Sequence, residues 1–191
     1  SHGRDISFLT WRKIRRVVLF LSALAIISRL SYLGVRTFHH DESLDAWFSL
    51  KYLDGAYKGY DPVYHGPLRF YITAAFFWLF GQSDSIARLL PAISGIAVVA
   101  LPWIWRRNLG VIGTPITVAL ILTSPTMLYF SRFGREDSFF LLLTFLTAIT
   151  LLSFLATPKR WHPVVLLVLF VLGLAVKESV FLTVFIFGSF G

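Results

Sequence analysis

Two adjacent carboxylates, Asp41 and Glu42, lie just beyond the first long apolar run of the chain. A carboxylate in this place suits a general base, because it can take the proton of a hydroxyl within hydrogen-bond reach and burial tunes its pKa. Its neighbour suits a residue that orients the acceptor or binds a metal ion, with His40 as a further candidate ligand. The alternative is the start of a helix, since Asp is a favoured N-cap residue. The pair on its own leaves both interpretations open.

A second charged loop, from Ser131 to Asp137, separates two apolar runs. Charged side chains at this depth are costly unless they pair or face a polar cavity. Arginine is the preferred phosphate ligand because of its planar fork, so Arg132 and Arg135 are candidate phosphate ligands. Asp137 is a candidate for orienting an acceptor or a divalent cation. A compact turn with internal ion pairs is the alternative.

Two more candidates for a phosphate site are His65 and Lys177. His65 precedes Gly66-Pro67, where a hydrogen-bonding side chain would meet an anionic head group. The alternative is that Gly-Pro only turns the chain into the next helix. Lys177 and Glu178 interrupt a long apolar stretch, which makes a functional role credible; a simple interface position is the alternative.

The composition is that of a helical membrane protein. Hydrophobic residues make up 56% of the chain and the mean hydropathy is +0.70, whereas soluble domains contain roughly 45–50% apolar residues. A chain in hydrocarbon must satisfy its backbone internally, which favours helices. The net charge of +8 is explained by basic residues that flank the apolar runs, so we expect no nucleic-acid partner. With no cysteine, disulfides are excluded.

The apolar runs predict one all-α integral membrane domain with several spans. Spans are predicted over residues 17–33, 86–105, 111–130, 138–156 and 164–187, and interfacial or re-entrant helices over 44–54 and 68–80. If 68–80 crosses the membrane, Asp41-Glu42 and the loop from Ser131 to Asp137 fall on opposite faces of the membrane. If it is shallow, all three basic clusters share one face, namely Arg12 to Arg16, Arg106-Arg107 and Lys159-Arg160.

The positive-inside rule favours the shallow helix. The N-terminus is then cytoplasmic, the chain is a multi-pass protein of the cell membrane, and every acid except Asp5 lies on the exterior side. Nucleotide-binding and serine-hydrolase patterns do not occur in the sequence. A sugar transferase acting on the exterior would therefore need a lipid-linked donor.

The order of the motifs resembles the N-terminal part of the protein O-mannosyltransferase and aminoarabinose-transferase superfamily, which are GT-C membrane glycosyltransferases. The closest branch in character is the prokaryotic one called flippase activity-associated. The resemblance covers about Phe38 to Lys177. Its motifs are Asp41-Glu42, Gly66-Pro67-Leu68, Gly81-Gln82-Ser83, Ala87-Arg88-Leu89, Arg106-Arg107-Asn108-Leu109-Gly110, Ser124-Pro125, Ser131-Arg132 with Asp137, and Gly173-Leu174-Ala175-Val176-Lys177.

The resemblance implies a GT-C-like bundle, a polyprenyl-phosphate sugar donor and transfer on the exterior face. By match to the family motifs, Asp41 is the catalytic base and Glu42 its neighbour. The acid, arginine and lysine of the later motifs are Asp137, Arg132 and Lys177. Aminoarabinose transferases carry a lysine before the Pro-Leu pair that is implied to hold the lipid phosphate; His65 is the candidate for that role here.

The sequence thus predicts transfer of a sugar from a polyprenyl-phosphate donor to an acceptor hydroxyl or amine, with a divalent cation as a candidate cofactor. One alternative is a lipid-linked-sugar transport or flippase-associated protein, in which the same charges line a head-group path. The other is a non-catalytic membrane subunit that contacts partner subunits. We also expect the chain to be the N-terminal part of a larger membrane enzyme.

Overall fold

The computed structural model describes residues 2–56 and 65–190 as a set of packed helices. The helices are α1 (His2–Leu30), α2 (His40–Leu53), α3 (Leu68–Phe80), α4 (Asp84–Ala87), α5 (Leu89–Ile104), α6 (Arg106–Thr123), α7 (Pro125–Phe130), α8 (Asp137–Ala156), α9 (His162–Val176) and α10 (Val180–Phe190).

Among the described helices, α8 is the one long and apolar enough to cross a membrane by itself. Its 20 residues have a mean hydropathy of 2.4 and extend about 30 Å at 1.5 Å per residue. Only 11% of the apolar stretch is buried against the rest of the protein. A helix that is apolar on all sides and largely uncovered is typical of a membrane segment.

Two apolar clusters hold the longer helices together. In the first, Ile14, Val18 and Ala25 of α1 pack against Val99 of α5 and Val118 of α6. The α1 residues recur at helical spacing, so they form one face of that helix. The second cluster joins α8 to α9 through Leu143, Leu169 and Val176.

Helix α2 begins earlier than the predicted interfacial helix at 44–54, because its N-terminus is capped. His39 Nδ1 accepts a hydrogen bond from the Asp41 N–H at 3.3 Å, and Glu42 Oε2 accepts one from the His39 N–H at 3.0 Å. This reciprocal pair is a capping box, which satisfies backbone donors left free at a helix start. The cap is thus His39, and Asp41 lies inside the first turn.

The segment containing α3 and α4 starts and ends beside the same loop. Arg69, in the first turn of α3, contacts Glu136. Arg88, directly after α4, contacts Glu42, and that carboxylate also accepts a hydrogen bond from the Gly134 N–H at 2.7 Å. The first turn of α3 and the residue after α4 therefore both lie beside the loop that precedes α8.

Three predicted spans differ from the observed helices. The span 164–187 is two helices, because Lys177 has extended backbone angles and forms an ion pair with Asp137. The span 86–105 is interrupted at Arg88, between α4 and α5. The span 111–130 starts as expected, because the helical backbone of α6 is broken at Gly110 (φ 74°), but it is divided between the rest of α6 and α7.

The helix observed at the first predicted span also has different limits from those expected. Helix α1 runs over His2–Leu30, so it starts well before the expected first residue of the span at 17 and ends three residues before its last. Its C-terminal carbonyls are capped by a side chain from the loop before α8. By contrast, α8 closely matches the span expected at 138–156.

Candidate functional site

A cluster of charged side chains surrounds Glu136, directly before α8. The Glu136 side chain is fully buried. Arg69 Nη1 contacts its Oε2 atom, Lys177 Nζ lies 3.1 Å from Oε1, and Arg135 Nη2 lies 3.4 Å from Oε1. Burial opposes ionisation, but Arg69, a backbone hydrogen bond, Lys177 and Arg135 outweigh it and lower the pKa of Glu136 to about 2. We call this group the Glu136 cluster.

Two more accessible acids lie at the edge of the Glu136 cluster. Asp41 Oδ2 is 2.8 Å from Arg135 Nη1, and Asp137 Oδ1 is 3.1 Å from Lys177 Nζ. The side chains of Asp41 and Asp137 are 39% and 31% exposed. Arg135 Nε also lies 3.9 Å from Asp137 Oδ2. The structure therefore brings together acidic motifs that are about half the chain apart in sequence.

Arg135 and Lys177, the two cations that contact Asp41 and Asp137, are held in their charged forms. Burial alone would lower the pKa of Arg135 and of Lys177. Glu136 and Asp137 outweigh burial, so the pKa of each cation is raised above its ordinary value. Both side chains stay positive at physiological pH, as a phosphate site requires.

His65 adjoins the Glu136 cluster from the start of α3. Its Nδ1 atom is 2.9 Å from Glu178 Oε2, and its Nε2 atom is 3.9 Å from Glu136 Oε1. The backbone φ of His65 is 64°, in the left-handed region that few residues other than glycine adopt. The next residue is fixed by a hydrogen bond from the Gly66 N–H to the Val176 carbonyl at 3.1 Å. Tyr64 lies outside the described residues.

Asp45 of α2 contacts the Glu136 cluster through Arg69 of α3. Arg69 Nη1 is 2.7 Å from Asp45 Oδ2, but the two atoms are not aligned for a hydrogen bond. Burial raises the pKa of Asp45 to about 7, Arg69 works in the opposite direction, and the charge of Glu136 adds to the increase. Asp45 is therefore a carboxyl that titrates near neutral pH beside one that stays ionised.

Glu42, the second member of the acidic pair, is enclosed by hydrogen-bond donors. Its side chain is 1% exposed. Arg88 donates to both carboxylate oxygens at 2.8 and 3.1 Å, and Arg36 donates at 2.8 Å. The N–H groups of His39 and Gly134 complete the set. Burial opposes ionisation, yet these bonds hold the pKa of Glu42 below its ordinary value.

Arg132 directs its hydrogen bonds to the end of α1 and not to the Glu136 cluster. Its Nη1 atom donates to the carbonyls of Ser28 at 2.6 Å and Ser31 at 2.8 Å, and Nη2 donates to the Tyr32 carbonyl at 3.3 Å. The Ser28 carbonyl lies in the last turn of α1, and those of Ser31 and Tyr32 directly follow the helix. A helix leaves carbonyl acceptors without internal partners at this end. Arg132 therefore caps α1, which is a structural task that sequence reasoning did not assign to it.

A family model described as dolichyl-phosphate-mannose-protein mannosyltransferase matches residues 64–190, well over half of the chain. The chain belongs to this family. Comparisons with curated proteins and with solved structures found no match. Membership in the mannosyltransferase family implies a membrane glycosyltransferase that uses a polyprenyl-phosphate-linked sugar donor.

The mannosyltransferase match includes all of the Glu136 cluster and two residues beside it. Arg69, Arg135, Glu136 and Lys177 fall within the matched residues, as do His65 and Asp137. Asp41 precedes them, and its 2.8 Å contact with Arg135 joins it to the matched part.

The metal hypothesis gains no geometric support in the part of the chain that the structure describes. No three His, Asp or Glu side chains there are close enough together to hold a metal ion. Of the candidate ligands, His40 is exposed, and the oxygens of Glu42 already accept five hydrogen bonds. We therefore derive no step through a metal.

Four residues of the site were missed or given no role by sequence reasoning: Asp45, Arg69, Arg88 and Glu136. Two of them, Arg69 and Arg88, are isolated charges at the edges of apolar runs. Such a charge is expensive to bury without a partner, and each proves to be bound to a buried glutamate. That cost is the signal that would have pointed to them.

Proposed function

We propose that the exposed edge of the Glu136 cluster transfers a sugar from a polyprenyl-phosphate donor to an acceptor hydroxyl or amine on the extracytoplasmic face of the cell membrane. The observation that carries the proposal is the row Asp41, Arg135, Asp137, Lys177, in which two accessible carboxylates alternate with two cations at 2.8–3.9 Å. Sugar transfer from a lipid phosphate needs one base and fixed positive charge, and this row offers both.

In the proposed reaction the acceptor oxygen or nitrogen forms a bond to the anomeric carbon, and the bond from that carbon to the phosphate oxygen breaks. The electron pair leaves with the polyprenyl phosphate, and the acceptor proton passes to Asp41. Arg135 and Lys177 stabilise the charge that develops on the leaving phosphate, because positive groups already in place cost no reorganisation. Asp137 orients the acceptor, and His65 donates a further hydrogen bond to phosphate.

An apolar groove beside Asp137 supports a lipid-linked donor. The groove has a volume of about 280 Å³ and is bordered by α7, α8 and Thr183 of α10. Along α8 it extends from Asp137 to Thr144, about 10 Å at 1.5 Å per residue. Phe130, Phe140 and other apolar side chains line it. We propose that it takes the first isoprene units while the phosphate lies at Lys177.

The proposed topology places this surface outside the cell. The return of the α3–α4 segment to the loop before α8 supports a re-entrant rather than a spanning α3. With α1, α5, α6, α8 and α9 crossing, the three basic clusters lie together in the cytoplasm, as the positive-inside rule requires. The N-terminus is cytoplasmic in this arrangement.

Within this proposal Glu42 is a positioning residue. Its carboxylate binds Arg88, ahead of α5, and the Gly134 N–H, in the loop before α8. Asp41 is the preceding residue in α2, so the same contacts hold the proposed base beside Arg135.

Sugar release from a defined donor tests the proposed function. The chain is reconstituted in vesicles with radiolabelled polyprenyl-phosphate mannose and an acceptor extract, and sugar loss from the donor is followed. Asp41→Asn removes the base and should lower the rate by about 10²–10⁴-fold. Asp54→Asn is the matched control, because Asp54 is an exposed acid at the other end of α2; its rate should equal that of the wild type.

The alternatives give different results in the same vesicles. Movement of the donor across the bilayer with no loss of sugar would support a transport protein. Equal rates for wild type and Asp41→Asn would contradict the assignment of the base. If the reconstituted wild type neither released the sugar nor moved the donor, and matched the variant that carries both Asp41→Asn and Asp137→Asn, the non-catalytic subunit would be favoured.

A further inference from the structure

A basic groove lies apart from the Glu136 cluster, at the C-terminal end of α1. It has a volume of about 370 Å³. Its lining residues are Tyr32, Leu33, Arg36, Arg88, Pro125, Leu128, Tyr129 and Arg132. No member of the Glu136 cluster borders it, so a ligand in this groove would not touch the proposed base or its cations.

The basic groove carries more positive charge than its carboxylate partner neutralises. Arg36, Arg88 and Arg132 contribute three positive charges to its walls. In the described residues these guanidinium groups share one acid, Glu42, which binds Arg36 and Arg88. Arg132 donates only to carbonyls. Three charges minus one leave a net charge of +2, which favours an anionic ligand.

Arg36 is the accessible cation of the groove. Its side chain is 47% exposed, and Nη2 is held 2.8 Å from Glu42 Oε2. The guanidinium carbon lies 5.7 Å from the ring centre of Tyr129 and 5.3 Å from that of Phe133. A carboxylate and two aromatic rings thus fix one side of the planar group, and its remaining N–H donors are left for a ligand. A fixed fork loses little side-chain entropy when it binds phosphate.

The walls of the groove have the character of a membrane interface. Tyr32 is 81% exposed and Tyr129 is 49% exposed, while Pro125 and Leu128 add apolar surface. Tyrosine is enriched where the bilayer meets water. Apolar walls suit the glycerol and upper acyl region of a lipid better than they suit a free, fully hydrated ion.

We propose that the basic groove binds the phosphate head group of an anionic membrane phospholipid, at a site separate from the donor. Arg36 provides the planar fork, Arg88 and Arg132 add positive charge, and the tyrosine rings lie against the upper part of the lipid. A lipid bound there would contact α1, α7 and the loop before α2. It would also stabilise the two arginines, Arg36 and Arg88, that bind Glu42. The proposal does not depend on sugar transfer.

Lipid binding by the purified chain tests the proposal directly. The full chain is placed in phosphatidylcholine nanodiscs with and without phosphatidylglycerol, and retained lipids are counted by native mass spectrometry after release. The wild type should retain phosphatidylglycerol in preference to phosphatidylcholine. Arg36→Gln should weaken that retention by about tenfold, which is the effect of losing one charge-assisted contact.

Two further variants distinguish specific lipid binding in the groove from nonspecific electrostatic attraction. Lys51→Gln removes one positive charge from α2, away from the groove, and should leave the retention of phosphatidylglycerol unchanged. Tyr129→Leu keeps every charge but removes a ring under Arg36, and should weaken retention. Unfolding temperatures for all variants show whether each has folded, and Arg36→Gln keeps the Arg88 contacts of Glu42.

Three results would overturn the proposal. Equal retention of the two lipids by the wild type would exclude an anionic lipid site. Equal losses in Arg36→Gln and Lys51→Gln would indicate only general attraction. Displacement of phosphatidylglycerol by inorganic phosphate, or by polyprenyl phosphate at the same concentration, would assign the groove to a free anion or to the donor instead.

Discussion

Glu136 and Asp137 are adjacent carboxylates with opposite environments. Glu136 is fully buried among cations, whereas the Asp137 side chain is 31% exposed and touches Lys177 at one oxygen. A buried ion pair often gives little net stability, but removal of one partner leaves a charge buried without compensation. Glu136 is therefore expected to act on stability, and Asp137 on the chemistry of the exposed surface.

Replacement of Glu136 by glutamine should destabilise the protein strongly. It leaves Arg69 and Lys177 without their shared buried counter-ion, at an expected cost of about 3–5 kcal/mol. Thermal unfolding in detergent measures the loss. Glu178→Gln is the control, because the Glu178 side chain is 49% exposed and its pairing should contribute less than about 1 kcal/mol. Equal unfolding temperatures for the two variants would contradict the central place of Glu136.

Asp45 should make stability fall as pH rises toward neutrality. Burial raises the pKa of Asp45 to about 7, whereas an unfolded aspartate titrates near about 3.9. Between these values the folded state binds more protons than the unfolded state, so unfolding becomes easier with increasing pH. Asp45→Asn removes this titration.

Unfolding temperatures at pH 5 and pH 8 check the Asp45 prediction. The wild type should lose on the order of 5 °C more than Asp45→Asn between the two pH values. Glu136 stays ionised throughout this range, since its pKa is lowered to about 2. Parallel pH profiles of the wild type and the variant would show that Asp45 has no raised pKa.

At the residue scale, charged residues in polar loops could be singled out from the sequence as candidates. Asp41, Arg135, Asp137 and Lys177 were selected for their chemistry, and the structure places them in contact. Their catalytic and phosphate-binding roles stay predictions. Arg132 could not be placed in advance, because its partners are backbone carbonyls of a helix about a hundred residues away, and carbonyls leave no mark in a sequence.

At the element scale, the contact between the start of α3 and the end of α9 positions His65 and Lys177. The Gly66 N–H donates to the Val176 carbonyl at 3.1 Å. A Cβ atom on Gly66 would overlap the carbonyl of Ala175 and would lie 2.6 Å from the Val176 nitrogen. Glycine is needed here for close approach of two backbones.

Gly66→Ala should move α3 away from α9 and disturb the Glu136 cluster, to which Arg69 and Lys177 contribute from α3 and from the end of α9. We expect a loss of about 1–3 kcal/mol, the usual cost of overpacking, together with reduced sugar release. Gly113→Ala is the control, because its added Cβ would meet only the Leu109 side chain at an ordinary 3.6 Å. A Gly66→Ala protein as stable and as active as Gly113→Ala would show that this contact does not position the site.

The helix limits illustrate what hydropathy can and cannot predict. The limits expected at 138–156 agree with those of helix α8, which is a continuous apolar run with no proline or glycine. The span expected at 164–187 was broken by Lys177, whose charge is drawn out of the apolar run by Asp137 and Glu136. A pairing across 40 residues is a tertiary fact that a local pattern does not contain.

At the scale of the whole molecule, the proposed site depends on the α3–α4 segment returning to the side from which it left. Arg69 and Arg88 bracket this segment, and both bind glutamates beside the same loop. If α3 crossed the membrane, these contacts would be impossible. The three basic clusters would also be divided between the two faces, against the positive-inside rule.

Labelling from one side of the membrane tests this arrangement most directly. The chain has no cysteine, so single variants Asp41→Cys, Asp137→Cys and Arg107→Cys each carry one reactive thiol. In intact cells a membrane-impermeant maleimide should label positions 41 and 137, and position 107 should be labelled only after permeabilisation. If positions 41 and 137 are labelled from opposite sides of the membrane, the two acids cannot form one transfer site.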